Sequence, residues 1–539
     1  MLRRHGSRAV AAVLLTVALS SGAAASTATA TPSGDPAVSQ LVQTLDGIVA
    51  KPLLDGSFAA VVVRDAETGE TLYDRLGDHR FTPASNTKFL TSTAAMSVLG
   101  PEYRFTTDVL TAGPKVGSVL AGDLYLRGNG DPTALAADYD TLAAALRAQG
   151  IKTVVGDLVG DDTYFDDDRL GTAWSWDDEG AYYSQEASAL TLAPDTDYDN
   201  GNVVVVAGPG ANPGDKPTYT VTPPAAAKYV KIVNNGTTVE NGGDDTLGIS
   251  REHHTNNIVI SGTVPADGGT TTEWIAVRDP AGYATTVFHE ALAAAGITVI
   301  GRTRWGSATP PSARVLAAHQ SMTLSELMIP FLKLSNNGHA EALTKAMGHK
   351  VSGVGSWPAG LAAIKAYAAA HDVNTSTYRQ SDGSGLSRFD IIPPDQLTNL
   401  LIAVRSEPWF GTWYNALPIA GNADRFTGGT LRSRMRNTPA ANNVHGKTGS
   451  LTGVSALSGY VTSADGRKLV FSVIENNYLA SASSIRSQIE DAVAVALASW
   501  HSSGSGGAAL LRIAPQQAEE NQVGPDSDLE CSWLKPVMC

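Results

Sequence analysis

The spacing of apolar positions changes character along the chain. A β-branched run at residues 58–65 (FAAVVVRD) meets a turn at Glu67-Thr68-Gly69 and resumes at 70–74, which predicts a hairpin. Pro83 and Ala84 lead into a helical pattern over 85–99, closed by Gly100 and Pro101. From about 105 to 314 the texture differs. Short apolar runs at 154–159, 202–206, 257–260 and 273–277 alternate with turns rich in Gly, Asp, Pro and Asn, with an occasional helix such as 140–148. Helical spacing returns over 324–347, 360–370 and 394–404. Strand-like runs follow at 446–454, 457–462 and 468–474, the last two joined by a turn at Ala464-Asp465-Gly466. A closing helix is predicted over 483–500, with Ile485, Ile489, Ala492 and Val493 at helical spacing.

Strands at both ends of the chain, with helices between them, fit one α/β (α+β) domain: an antiparallel sheet with flanking helices. The expected division is a discontinuous domain of residues 38–104 and 320–501, interrupted at 105–319 by a β-rich insertion long enough for two domains. A Gly/Ser stretch at 502–507 and an acidic one at 516–528 make 502–539 a flexible tail.

Composition narrows this further. Of the 539 residues 43% are hydrophobic and 17% charged, enough to build large cores. The net charge of −14 argues against nucleic acid as a partner, because phosphate binding needs a basic footprint. Arg3, Arg4 and Arg8 precede an apolar stretch from Ala9 to about Leu19, and small residues at Ala25 and Ala30 follow. That is the layout of a secretory signal peptide over 1–30, so export from the cytoplasm is expected. The apolar stretch is shorter than the ~20 residues a bilayer requires, and no transmembrane anchor is expected. Cys531 and Cys539 lie in the tail and could close one small disulfide loop, but they offer no catalytic thiol. The histidines have no metal-ligand spacing; His253 and His254 are adjacent, and His445 reads as structural. No cofactor or metal is expected.

The chemistry lies in three short motifs. Ser85-Asn86-Thr87-Lys88 is an S-x-x-K tetrad whose spacing puts both reactive side chains on one helical face. A serine hydroxyl becomes a useful nucleophile when a neighbouring base takes its proton, and a lysine can do so. Alone, the tetrad is a common accident. Ser335-Asn336-Asn337 is an S-x-N triplet between two predicted helices, one ending near Leu334 and the other beginning near Ala340. Lys447-Thr448-Gly449 opens a predicted strand. These sets, in this order and on these elements, are those of penicillin-recognising serine enzymes.

The segments PASNTK (83–88), SDGSGLSR (381–388) and HGKTGS (445–450) resemble the low-molecular-mass class C penicillin-binding proteins, which are D-alanyl-D-alanine carboxypeptidases and endopeptidases. The similarity runs over roughly 38–501 and includes the insertion between the first two motifs. The resemblance implies a penicillin-recognising, transpeptidase-like fold and the following roles. Ser85 forms the acyl-enzyme, Lys88 acts as its base, and Ser335 relays a proton to the leaving amine. Asn337 positions the peptide amide and holds Lys88. Lys447 and Thr448 bind the terminal carboxylate, and Lys447 also tunes Ser335. Gly449 makes room for substrate along the strand. Backbone N–H groups of Ser85 and Ser450 form the oxyanion hole. Leu451 after Ser450 departs from the family's pattern; it suggests an apolar wall and leaves the side-chain preference open. Trp176-Asp177-Asp178 with Tyr183 is similar to the family's side-chain pocket, in which Asp178 takes the amine of a diamino acid, Tyr183 packs its methylenes and Arg388 pairs its carboxylate. The partners implied are peptidoglycan stem peptides, with β-lactam antibiotics as covalent inhibitors.

Two rivals share some of these features. A β-lactamase needs a water-activating glutamate between the second and third motifs, and only Glu341 and Glu407 occupy that interval. A non-enzymatic wall-binding or penicillin-sensing module would tolerate a degraded motif, whereas all three are intact.

Overall fold

A computed structural model describes residues 35–502. The expected signal segment 1–30, both cysteines and the tail beyond Ser502 lie outside the described residues. Among the described residues no helix is long and apolar enough to cross a membrane.

Five strands build one antiparallel sheet in the spatial order Thr71–Arg75, Phe58–Asp65, Lys468–Asn476, Val454–Thr462 and His445–Leu451. Phe58–Asp65 pairs directly with Lys468–Asn476, Val61 opposite Val473, so the two ends of the chain are closed against each other. The middle strands carry near-continuous apolar runs because helices cover both faces. On one face Leu45 of helix Pro36–Val49 and Val493 of helix Asp491–Ser499 pack on Val61, Val63 and Phe471. On the other, Phe89, Leu343 and Leu400 pack on Ala60, Val470 and Ile474; they come from helices Lys88–Val98, Asn337–Ser352 and Pro394–Ala403.

The intervening segment has its own core. Strand Thr106–Thr111 pairs with Arg314–Gln320, which brings both ends of the segment together at the edge of a second five-stranded sheet. Helices Ala136–Ala148 and Pro280–Ala294 meet through Tyr139 and Phe288 above a cluster that includes Val203, Ile258 and Ile275.

Several expected elements are redrawn. The run 154–159 is two strands, Thr153–Val154 and Leu158–Asp161, in different sheets. Gly156 separates them, passing so close to Gly122 and Asp123 that a Cβ would lie 2.4 Å from the Asp123 carboxylate. The strand at 446–454 ends at Leu451, and a tight turn through Gly453 (φ +71°) starts the next at Val454. The helix after the S-x-N triplet begins at Asn337, not 340. The run 85–99 opens as a 3₁₀ turn, Ala84–Thr87, before the α-helix Lys88–Val98. The closing helix is interrupted by a π turn at Arg486–Glu490.

Candidate active site

The three motifs converge although they come from different elements. The 3₁₀ turn presents Ser85 at the head of helix Lys88–Val98, and the Lys88 Nζ lies 2.6 Å from the Ser85 Oγ. The same nitrogen lies 2.6 Å from the Asn337 Oδ1 and 2.8 Å from the Ser384 carbonyl oxygen. Lys88 is wholly buried, so these polar partners replace the water it gives up. Opposite, the Lys447 Nζ donates to the Ser335 Oγ at 2.7 Å and to the Thr448 carbonyl at 2.8 Å. The site therefore holds two serine–lysine pairs.

Backbone strain and glycine shape the turn that carries Ser85. Ala84 and Ser335 sit in the left-handed region at φ +47° and +60°, which L residues adopt only when the surroundings impose it. Gly385 (φ +89°) lies against Ala84, and a Cβ there would sit 1.9 Å from the Ala84 carbonyl oxygen. Strand His445–Leu451 is the edge strand of its sheet and runs beside this turn, tethered by the Asn86 Nδ2 donating to the Lys447 carbonyl at 3.1 Å. A Cβ on Gly449 would lie 2.6 Å from the Pro83 carbonyl and 3.1 Å from the Ser85 nitrogen. The glycine thus makes room for the serine turn to approach the strand.

Asn337 makes contacts on two sides. Its Oδ1 faces Lys88, while its Nδ2 donates to the Tyr183 carbonyl at 2.9 Å. The amide thus bridges Lys88 to the intervening segment. Tyr183 turns its ring into a small cluster with Ala84, Leu386, Leu451 and Val454, and its hydroxyl donates to the Asp178 Oδ1 at 2.9 Å. Burial raises the Asp178 carboxyl, while the Tyr183 hydroxyl and the nearby Arg388 charge pull it back down. Arg388 is exposed and donates to the Thr452 carbonyl at 3.2 Å. The tryptophan that joins this cluster is Trp174, whose Nε1 donates to Asp382 at 2.8 Å; Trp176 is exposed and lies over His253.

Residues outside the three motifs support the constellation. Glu341 is fully enclosed and accepts from the Gly383 and Ser384 N–H groups at 2.8 and 2.9 Å and from the Trp357 Nε1 at 2.7 Å. Burial, with Asp382 alongside, pushes its carboxyl up. Its donors leave it fixing the 381–388 loop, so that the Ser384 carbonyl meets Lys88. Glu407 pairs with His371 at 2.7 Å. Neither glutamate is placed as a water-activating base. His445 stacks on Tyr414, and burial pushes it down to about 4. Among the described residues no group of His, Cys, Asp and Glu side chains could hold a metal ion. Sequence reading also missed Thr430, whose Oγ1 accepts from the Thr448 hydroxyl at 2.9 Å. Ser384 and Asp382 could have been suspected, since they lie inside the SDGSGLSR stretch.

The Gly385 contact yields a prediction. Gly385→Ala is expected to lower stability by roughly 2–4 kcal/mol and to slow acylation about a hundredfold, because the displaced Ala84 carbonyl adjoins the nucleophile. Chemical denaturation and single-turnover acylation check this, and unchanged values in both would refute it.

The model of the "D-Ala-D-Ala carboxypeptidase 3 (S13) family" matches residues 41–499. The chain belongs to this family. It is 40% identical over 502 residues to a D-alanyl-D-alanine carboxypeptidase from Actinomadura sp., covering 92% of this chain and 90% of that protein. Over 432 residues it is 26% identical to the D-alanyl-D-alanine carboxypeptidase DacB of Haemophilus influenzae, covering 80% and 88% of the two chains. The crystal structure of penicillin binding protein 4 (dacB) from Haemophilus influenzae superposes with a TM-score of 0.72 at 26% identity, over 85% of this chain and 97% of that one. Family membership accounts for the mixed fold, antiparallel sheets with flanking helices.

Proposed function

We propose that this S13 family member is an exported serine-type D-Ala-D-Ala carboxypeptidase or endopeptidase acting on peptidoglycan stem peptides, and that β-lactams acylate it at Ser85. The observation that carries this reading is the Lys88 Nζ, which lies 2.6 Å from both the Ser85 Oγ and the Asn337 Oδ1. Residues 38–104 and 320–501 form the catalytic domain, and 105–319 is the insertion.

In the forward step the Ser85 Oγ bonds to the carbonyl carbon of the penultimate D-Ala and its proton passes to Lys88. Ser85 and Ser450 N–H groups stabilise the developing oxyanion; removing such a donor costs roughly 3–4 kcal/mol of barrier. The C–N bond breaks, and the departing amine takes a proton through Ser335, whose hydroxyl the Lys447 ammonium holds at 2.7 Å. Lys447 and Thr448 anchor the terminal carboxylate. Water then attacks the ester, releasing the shortened peptide and returning the proton to Ser85. The decisive assay is release of D-Ala from a D-Ala-D-Ala peptide; a folded protein that binds such peptides without cleaving them would favour the sensing module.

Asp178, Tyr183 and Arg388 form the side-chain pocket in this reading. A zwitterionic diamino end needs an acid, a cation and an apolar wall, each buried CH₂ contributing roughly 0.8 kcal/mol. The Arg388 charge is felt at Asp178, and Tyr183 packs on Leu451, which supports the assignment. Asp178→Ala and Arg388→Ala are expected to cut kcat/KM for peptides with a free diamino end about tenfold or more, each by losing a charge-assisted contact. Acylation by a penicillin without that group should change much less. Equal losses on both ligands would refute the pocket.

A further inference from the structure

The closing helix reaches the catalytic strand with a residue that none of the motifs contains. A π turn inside an α-helix is rare and is found frequently at functional sites. Here the turn spans Arg486–Glu490, and both of its ends touch the sheet. The Arg486 guanidinium donates to the Ser450 Oγ at 3.1 Å. Glu490 accepts from the Ser455 hydroxyl and pairs with Arg434 at 2.7 Å, which also holds Asp491 at 2.6 Å. Partly buried Arg434 thus clamps the end of the turn, four residues from Arg486.

Ser450 directly follows the K-T-G triplet and is 6% exposed. Alternation along the strand puts its side chain on the face shared with Thr448 and opposite Gly449. Its hydroxyl oxygen accepts from a guanidinium, while its proton has no acceptor among the described residues. A hydroxyl held in this way is oriented and polarised to donate, and an anion is its natural acceptor. Lys447, by contrast, already divides its ammonium between Ser335 and the Thr448 carbonyl.

We propose that Arg486 is a specificity-determining residue for the terminal carboxylate of the leaving group, acting by its permanent charge and by orienting the Ser450 hydroxyl toward that carboxylate. This rests on the reading of Lys447 and Thr448 as carboxylate anchors. Arginine suits the task because its charge does not titrate and its planar fork can serve the serine and the anion together.

The test uses the full-length protein and two D-Ala thioesters with identical acyl halves, whose leaving groups end in a carboxylate or in the matching carboxamide. The ratio of their kcat/KM values reports carboxylate recognition alone. Arg486→Gln is expected to lower that ratio about tenfold or more, chiefly through KM for the carboxylate ester, as loss of a charged contact should. Arg486→Lys should recover part of it. Should Arg486→Gln fail to fold, Ser450→Ala carries the test and should lower the ratio roughly threefold or more. A ratio equal to wild type in folded Arg486→Gln, with Thr448→Ala still lowering it, overturns the role of Arg486. A ratio unmoved by Thr448→Ala as well overturns the carboxylate-anchor reading and this proposal with it.

Discussion

Ser85→Ala is expected to eliminate covalent penicillin labelling and to reduce peptide turnover by roughly 10⁴-fold or more, the scale seen when an acyl-accepting nucleophile is removed. The result is informative because the site contains a second serine on a second lysine. Ser335 lies 2.7 Å from Lys447, as Ser85 lies 2.6 Å from Lys88. Ser85 is favoured as nucleophile by its backbone. Its nitrogen sits beside the edge strand at Gly449, where an oxyanion can meet two N–H groups, and its lysine is fixed by two carbonyl oxygens. The substitution removes one polar partner of Lys88, so folding should lose only about 1–2 kcal/mol. Peptide mapping of the penicillin adduct decides the matter. An adduct on Ser335, or undiminished labelling of folded Ser85→Ala, would overturn the mechanism.

Lys88→Ala is expected to slow acylation by about 10²–10⁴-fold, the range attributed to a positioned general base. The surroundings of Lys88 explain why no neighbour can replace it. A neutral amine has two N–H groups and one lone pair; the Asn337 and Ser384 oxygens can take the N–H groups while the lone pair faces the Ser85 proton. Truncation leaves those two oxygens short of a donor in a buried site, so a stability loss of about 2–5 kcal/mol should accompany the kinetic one. Stopped-flow acylation on protein that retains its folded near-ultraviolet spectrum separates the two effects. A wild-type acylation rate in the folded variant would require a different base.

Thr448→Ala and Arg486→Gln examine the opposite side of the cleft, where charge rather than proton transfer is at stake. The two sides are linked through the backbone. Asn86 holds the Lys447 carbonyl, and Asn337 connects Lys88 to the Tyr183 carbonyl of the inserted segment. A change in the insertion that shifts Tyr183 should therefore be felt at the base as well as in the side-chain pocket.

The sequence by itself determined whatever depends on near neighbours. Three residues along a helical turn bring Lys88 to Ser85 with no help from the rest of the chain. Strand-like runs made the last three strands legible, and Ala464-Asp465-Gly466 marked the hairpin between two of them. The order and context of the motifs were enough to place the chain in its family. Tertiary structure alone decided the contacts that make these parts a site. Lys88 meets Asn337 across 249 residues, Lys447 meets Ser335 across 112, and Asn337 meets Tyr183 across 154. Periodicity carries no information at such separations; those pairings follow from which apolar faces are buried together and which buried polar atoms must find a partner. The same reason accounts for what was not legible. The approach of the serine turn to Gly449, the burial of Glu341 under the 381–388 loop and the π turn at Arg486 are each set by neighbours distant in the chain, so local pattern could not reveal them.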